Sequence, residues 1–267
     1  MKRLFKSIIT TVIIATIVVA NPLGAYAAGD IAFGHFHGHA FNPEASGEAA
    51  NEVASATLDS DVLAWFGNSV MVGDSIMVGF KKYSGKNPDT LAGHLKYLCI
   101  GSYSMFNALK PVEGDNVHPS YQGVTCKVED GLATIGANRA FIMLGMNDLN
   151  IDGLENAVAR YEEEVDYIIA KNPGIDINVM SMTYTLAGIH MGHLNNDDIR
   201  AYNVLLQDMC NRNGWHYLDM ATPLADANGN LAAEYCSDGE LHQTYAAYDV
   251  WCNVMIQYAK DRMAAGN

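Results

Sequence analysis

Residues 69–79 read Ser69-Val70-Met71-Val72-Gly73-Asp74-Ser75-Ile76-Met77-Val78-Gly79. A short apolar run gives way to a small pair suited to a tight turn, and Ser75 then opens a stretch of helical character. The strand read here, Ser69 to Val72, has four counterparts downstream: Lys96 to Ile100, Ala140 to Leu144, Asp176 to Ser181 and Trp215 to Leu218. Amphipathic segments separate them, the pattern of repeated βα units around a parallel sheet. The clearest helix carries Leu154, Val158, Tyr161, Val165, Ile168 and Ile169 on one face and stops at Asn172-Pro173-Gly174. A second runs from about Asn195 to Asn213, with Gly214 just after it, and the last from about Ala246 to Met263. The expectation is therefore an α/β fold whose five strands form a mainly parallel sheet.

The N-terminal 27 residues do not belong to that pattern. Lys2, Arg3 and Lys6 precede an apolar run from Ile8 to Ala20, and Ala25-Tyr26-Ala27 supplies the small residues of a cleavage site. The run is short for a membrane span and no stop-transfer charges come after it, so export without a stable membrane anchor is expected. Residues 28–60 read as a polar arm and residues 61–267 as the folded domain. His35, His37 and His39 alternate within the arm; an extended chain would project all three from one face, but no carboxylate or cysteine stands at ligand spacing. With 30 acidic and 16 basic side chains among 267 residues, the net charge is −14, and −17 once the leader is gone. That balance argues against gripping nucleic acid through bulk charge. The five cysteines, Cys99, Cys126, Cys210, Cys236 and Cys252, show no Cys-x-x-Cys spacing, so zinc is not suggested and buried thiols are favoured; a Cys236–Cys252 bridge is the one pairing considered.

In such a sheet every strand ends on the same edge, where active sites of open α/β folds gather. After the first strand, Ser75 is placed at the positive end of a helix dipole; that suits a nucleophile, and equally an N-capping serine. The Gly-x-Ser-x-Gly elbow is absent, because Met77 stands at its second glycine. The second strand ends in Gly101-Ser102, where a glycine either makes a turn or lets a backbone N–H approach a ligand. The third ends in Gly145-Met146-Asn147-Asp148: the amide of Asn147 can donate to a developing oxyanion, while Asp148 can cap the segment after it. Before the last helix, Cys236-Ser237-Asp238-Gly239-Glu240-Leu241-His242 supplies an imidazole with carboxylates close by, the base and acid that acyl transfer to a serine requires. Two excursions, Met105 to Gly123 with His118 and Tyr121, and Thr183 to Leu194 with Tyr184, His190 and His193, lie where loops shape a substrate pocket.

Gly-Asp-Ser after the first strand, Gly after the second, Gly-x-Asn-Asp after the third and Asp…His before the C-terminal helix together resemble the SGNH (GDSL-like) hydrolases, over about Asn68 to Tyr258. The resemblance implies a flavodoxin-like three-layer α/β/α fold, ester hydrolysis, and neither metal nor cofactor. It implies Ser75 as nucleophile, His242 as base and Asp238 as orienting acid, with the Ser75 and Gly101 N–H groups and the Asn147 side chain as the oxyanion hole. Asp74, His118, Tyr121 and Tyr184 are the candidate substrate contacts. One departure matters: the family's acid usually stands three residues before the histidine, where this chain has Gly239, so Asp238 is one position too early and Glu240 is its rival. The expected activity is that of a secreted serine esterase removing a small acyl group, an O-acetyl ester on a carbohydrate in particular. A glycan O-acyltransferase using the same acyl-enzyme and a non-catalytic surface module that binds glycan or protein are the alternatives.

Overall fold

The computed structural model describes residues 56–266; the leader, most of the arm and His35, His37 and His39 lie outside the described residues. The chain begins α1 (Ser60–Phe66), β1 (Ser69–Gly73), α2 (Ser75–Lys86), β2 (Lys96–Cys99), α3 (Met105–Ala108), β3 (Ser120–Tyr121) and β4 (Val124–Thr125). It continues through α4 (Val128–Ile135), β5 (Arg139–Met143), α5 (Leu149–Asp152), α6 (Leu154–Lys171) and β6 (Asp176–Met180). Then come β7 (His190–Met191), β8 (Leu194–Asn195), α7 (Asn196–Asn213), β9 (His216–Leu218) and α8 (Tyr245–Ala264).

The central sheet has the order β2-β1-β5-β6-β9 with every neighbouring pair parallel. Its five strands are those expected from the sequence, each within a residue at either end. All five residues of β1 are buried, as a parallel strand covered by helices on both faces must be. Helices α1, α2 and α8 pack together, as do α3, α4, α6 and α7, giving the three layers. Between α2 and α8 the rings of Phe80, Tyr83, Tyr248 and Trp251 stand 5.4 to 6.1 Å apart, and all four are essentially inaccessible. That aromatic contact fixes the C-terminal helix against the helix that Ser75 opens. Strand succession reverses direction between β1 and β5, so the carboxyl ends of these two strands flank the crevice where such sheets bind ligands.

All five cysteines are free thiols. The Cys236–Cys252 bridge does not form, because the Cys236 thiol lies 3.5 Å from Asp238 Oδ1 while Cys252 is buried on α8. Among the described residues, no helix is long and apolar enough to cross a membrane.

Two carboxyl groups meet where α4 packs on α6. Glu129 and Glu164 are buried, and Lys127 Nζ lies 3.4 Å from Glu129 Oε1. Burial first, and then the Glu129 charge, push the Glu164 acid up to about 8; Lys127 offsets part of this. Glu164 therefore keeps its proton in the folded protein over a range in which the unfolded chain has lost it. The stability this lends is complete below the usual glutamate pKa and is lost as pH rises toward 8. Glu164→Gln, which carries no titrating proton, is expected to raise the melting temperature at pH 8 by about 2–4 °C, or about 1 kcal/mol, and to flatten its fall between pH 5 and 8. Thermal melts across that range check this.

Candidate active site

Strand β1 delivers Asp74 and Ser75 to the crevice. Asp74 is the N-cap of α2, its Oδ1 accepting the Ile76 N–H at 3.0 Å, and Ser75 occupies the first helical position. The Ser75 N–H thus belongs to the first turn, whose amide hydrogens have no intrahelical acceptor. Ser75 Oγ lies 3.0 Å from His242 Nε2, although 167 residues separate them. His242 Nδ1 lies 2.5 Å from Asp238 Oδ2. With Nδ1–H donating to the carboxylate, the Nε2 lone pair faces the serine hydroxyl.

The loop that carries this acid and base wraps around its own carboxylate. Asp238 Oδ1 accepts the backbone N–H groups of Glu240, Leu241 and His242 at 2.9, 3.0 and 3.2 Å. Gly239 makes the turn possible with φ +80°. The extra residue between acid and base is absorbed in this turn, and the hydrogen bond on His242 Nδ1 comes from Asp238, not from Glu240. Burial by itself would raise the Asp238 pKa, but the His242 bond and the backbone donors outweigh it and hold the carboxyl well below the usual range. The loop is tied down on both sides. Ser237 N–H donates to His242 O at 2.8 Å, Leu186 N–H to Glu240 O at 2.8 Å, and Gln243 Nε2 to Thr183 Oγ1 at 2.9 Å.

The donors expected for an oxyanion converge on the same edge. Gly73 is level with Cys99 on β2 and with Met143 on β5, so Gly101 and Asn147 emerge on either side of Ser75. A Cβ on Gly101 would meet nothing within 4 Å, so the position is not crowded. Gly145 turns the chain after β5 at φ +134°, where a Cβ would lie 2.4 Å from the Tyr202 ring. Asn147 Nδ2 donates to Tyr103 O at 3.0 Å and to Asp74 Oδ2 at 3.1 Å. Asp148 does not cap its own helix. Its two oxygens accept the Met105 and Phe106 N–H groups at 3.0 Å each, capping α3 from 43 and 42 residues away. Asn147 and Asp148 together therefore clamp the segment beyond Gly101.

Two of the candidate substrate contacts are corrected by their placement. Asp74 is buried, with both carboxyl oxygens engaged, and supports the site from beneath. His118 is buried too; its ring bonds Pro111 O at 3.2 Å and lies against Tyr103, so it closes its own loop. Tyr121 is half-buried in the β3–β4 hairpin. Tyr184 is half-buried with the Arg200 guanidinium 5.8 Å from its ring. Neither bonds to Ser75, His242 or Asp238. His193 pairs with Asp198 at 2.9 Å near the start of α7, and His190 is exposed on β7. Among the described residues, no group of three or more His, Cys, Asp or Glu side chains is arranged to hold a metal ion.

Pieced together, the edge offers a hydroxyl bonded to an imidazole and an acid fixing that imidazole, the nucleophile, base and acid of acyl transfer. The His242 and Asp238 side chains are 41% and 34% exposed, so this equipment stands open to solvent.

Residues 71–250 match the GDSL-like Lipase/Acylhydrolase family. Among solved structures the chain is similar to a GDSL-like lipase from Bacteroides thetaiotaomicron, at 14% identity over 73% of this chain and 88% of that one, with a TM-score of 0.55. It is similar to a lipase/acylhydrolase from Enterococcus faecalis, at 13% identity over 73% and 96% of the two chains, TM-score 0.50. An acetyl esterase crystallised with acetate is similar as well, at 12% identity over 72% and 98%, TM-score 0.50. No curated protein matches the chain. The family match spans most of the chain and contains Ser75, Gly101, Asn147, Asp238 and His242: the chain belongs to the GDSL-like lipase/acylhydrolase family of ester hydrolases.

Proposed function

We propose that the protein is a serine esterase that removes a small acyl group, an acetyl ester on a carbohydrate, through an acyl-enzyme formed on Ser75. The observation that carries this reading is the chain of hydrogen bonds from Ser75 Oγ through His242 to Asp238. His242 Nε2 takes the hydroxyl proton as Oγ attacks the ester carbonyl. The oxyanion is received by the Ser75 and Gly101 N–H groups and by the Asn147 amide. The imidazolium, held by Asp238, then gives its proton to the departing sugar oxygen, and the Oγ–acyl bond remains. Water repeats the sequence, its proton passing to His242 and back to Oγ as the acid is released.

Exposure of His242 and Asp238 supports water as the acyl acceptor, since transfer to another hydroxyl demands that water be kept out. An open site also suits an ester displayed on a polar chain, and the similarity to an acetyl esterase points the same way. The leader expected from residues 1–27 would place this activity outside the cell. A series of p-nitrophenyl esters, then acetate release from an acetylated polysaccharide, tests the reading. Acetate is expected to be the preferred acyl group and to be freed from the polymer. Preference for octanoate with no release from the polymer would overturn the substrate assignment.

A further inference from the structure

We propose that Asp74 is a positioning residue: its carboxyl holds the Asn147 amide with the NH2 end toward Ser75, and the oxyanion recruits Asn147 by taking over the N–H that Asp74 holds. The inference rests on the reading of Ser75 as the nucleophile. An amide nitrogen carries two hydrogens. Both are engaged in the resting protein, one on Tyr103 O at 3.0 Å and one on Asp74 Oδ2 at 3.1 Å. Asp74 immediately precedes Ser75, so its bond ties the Asn147 amide to the nucleophile's own turn, and an oxyanion that draws on Asn147 must compete with one of these two acceptors.

Asp74 is built for this place. The residue is 2% exposed, and Oδ1 is pinned by the Ile76 N–H at 3.0 Å, so Oδ2 cannot swing away. A carboxylate oxygen accepts the NH2 end of an amide and repels the carbonyl end, so Asp74 dictates which end of Asn147 faces Ser75. The titratable groups around it are His242 ahead of α8, Asp148 after β5, Tyr248 on α8 and Cys99 on β2. Burial pushes the Asp74 acid up to about 7, while the Ile76 N–H and His242 pull it down and Asp148 adds to the rise. Near neutral pH the group thus passes between an ionised and a neutral form, the ionised form being the stronger acceptor for the Asn147 N–H.

A double-mutant cycle tests the assignment. Asp74→Ser keeps an oxygen able to cap the Ile76 N–H but is too short to reach Asn147. Its kcat on p-nitrophenyl acetate should fall roughly 10- to 100-fold with little change in KM, less than the 100- to 1000-fold expected when a donor is deleted outright. In an Asn147→Ala background, Asp74→Ser should cost nothing further, because the residue through which it acts is gone. Effects that multiply, or an Asp74→Ser enzyme with full kcat, would overturn the proposal, since a merely structural aspartate lowers activity in either background. If Asp74→Ser does not fold, Asp74→Asn serves in the same cycle: it preserves volume but sets its own NH2 group either against that of Asn147 or against the Ile76 N–H, and the same two outcomes decide. Ser75→Ala is measured alongside. Full turnover by that variant sinks the catalytic reading itself, whereas an inactive Ser75→Ala with a multiplicative cycle sinks only the role of Asp74.

Discussion

Ser75→Ala is expected to lower turnover of p-nitrophenyl acetate by on the order of 10⁴-fold or more while leaving the fold intact. The size of the effect comes from the geometry. Oγ is the only atom of the site placed both on His242 Nε2, at 3.0 Å, and at the positive end of α2. Removing it leaves the imidazole without a proton to take and the oxyanion donors without an adduct to hold. A methyl group at the first position of a helix is tolerated well, because the cap of α2 is supplied by Asp74 and not by Ser75. The melting temperature should therefore change little, and a fluorophosphonate probe that labels the parent protein should fail on the variant. Full activity in Ser75→Ala would end the acyl-enzyme mechanism.

Asp238→Asn should cost roughly 10²- to 10⁴-fold in kcat, and Glu240→Gln should leave the rate unchanged. An asparagine at 238 can still accept some of the backbone N–H bonds, but turning its NH2 group to His242 would require the opposite imidazole tautomer, with Nε2 carrying the hydrogen and unable to act as base. The exposed position lets water substitute in part, which favours the lower end of that range. Stability should respond with a defined sign. The Asp238 pKa is depressed in the folded protein, so the stability it lends is present above the ordinary aspartate value and is lost as pH falls. The gap between parent and variant melting temperatures should accordingly be widest near neutral pH and narrow below about pH 4. A loss of rate in Glu240→Gln with Asp238→Asn unaffected would reverse the assignment of the acid.

The features legible in the sequence are those that depend on neighbours in the chain. The five strands of the sheet are short apolar runs, and helices such as α6 and α7 announce themselves by period and by the signals where they stop, Asn172-Pro173-Gly174 and Gly214. Ser75, Gly101 and Asn147 stand out because a parallel sheet sends the end of each strand to one edge. The hidden features depend on distant partners. Nothing near Asp148 shows that its carboxylate caps α3 across 43 residues, and nothing near Asn147 shows that both hydrogens of its amide are engaged. His118 resembles a pocket residue because it lies in a long loop; only the fold reveals that this loop turns its imidazole inward. The two-residue ladders β3–β4 and β7–β8 are too short to express any period. The choice between Asp238 and Glu240 needs the geometry of one turn, since spacing alone points to neither.

The distance along the chain between Ser75 and His242 also sets the order in which the enzyme comes into being. A ribosome adds roughly 5–20 residues per second, so the nucleophile is made well before its base exists. Strands β1, β2 and β5 can assemble earlier, yet the hydroxyl remains an ordinary alcohol until α8 docks its aromatic residues against α2 and draws the His242 loop over the sheet edge. Hydrolytic power is therefore acquired late in synthesis, and a fragment that ends before His242 has the nucleophile without its base.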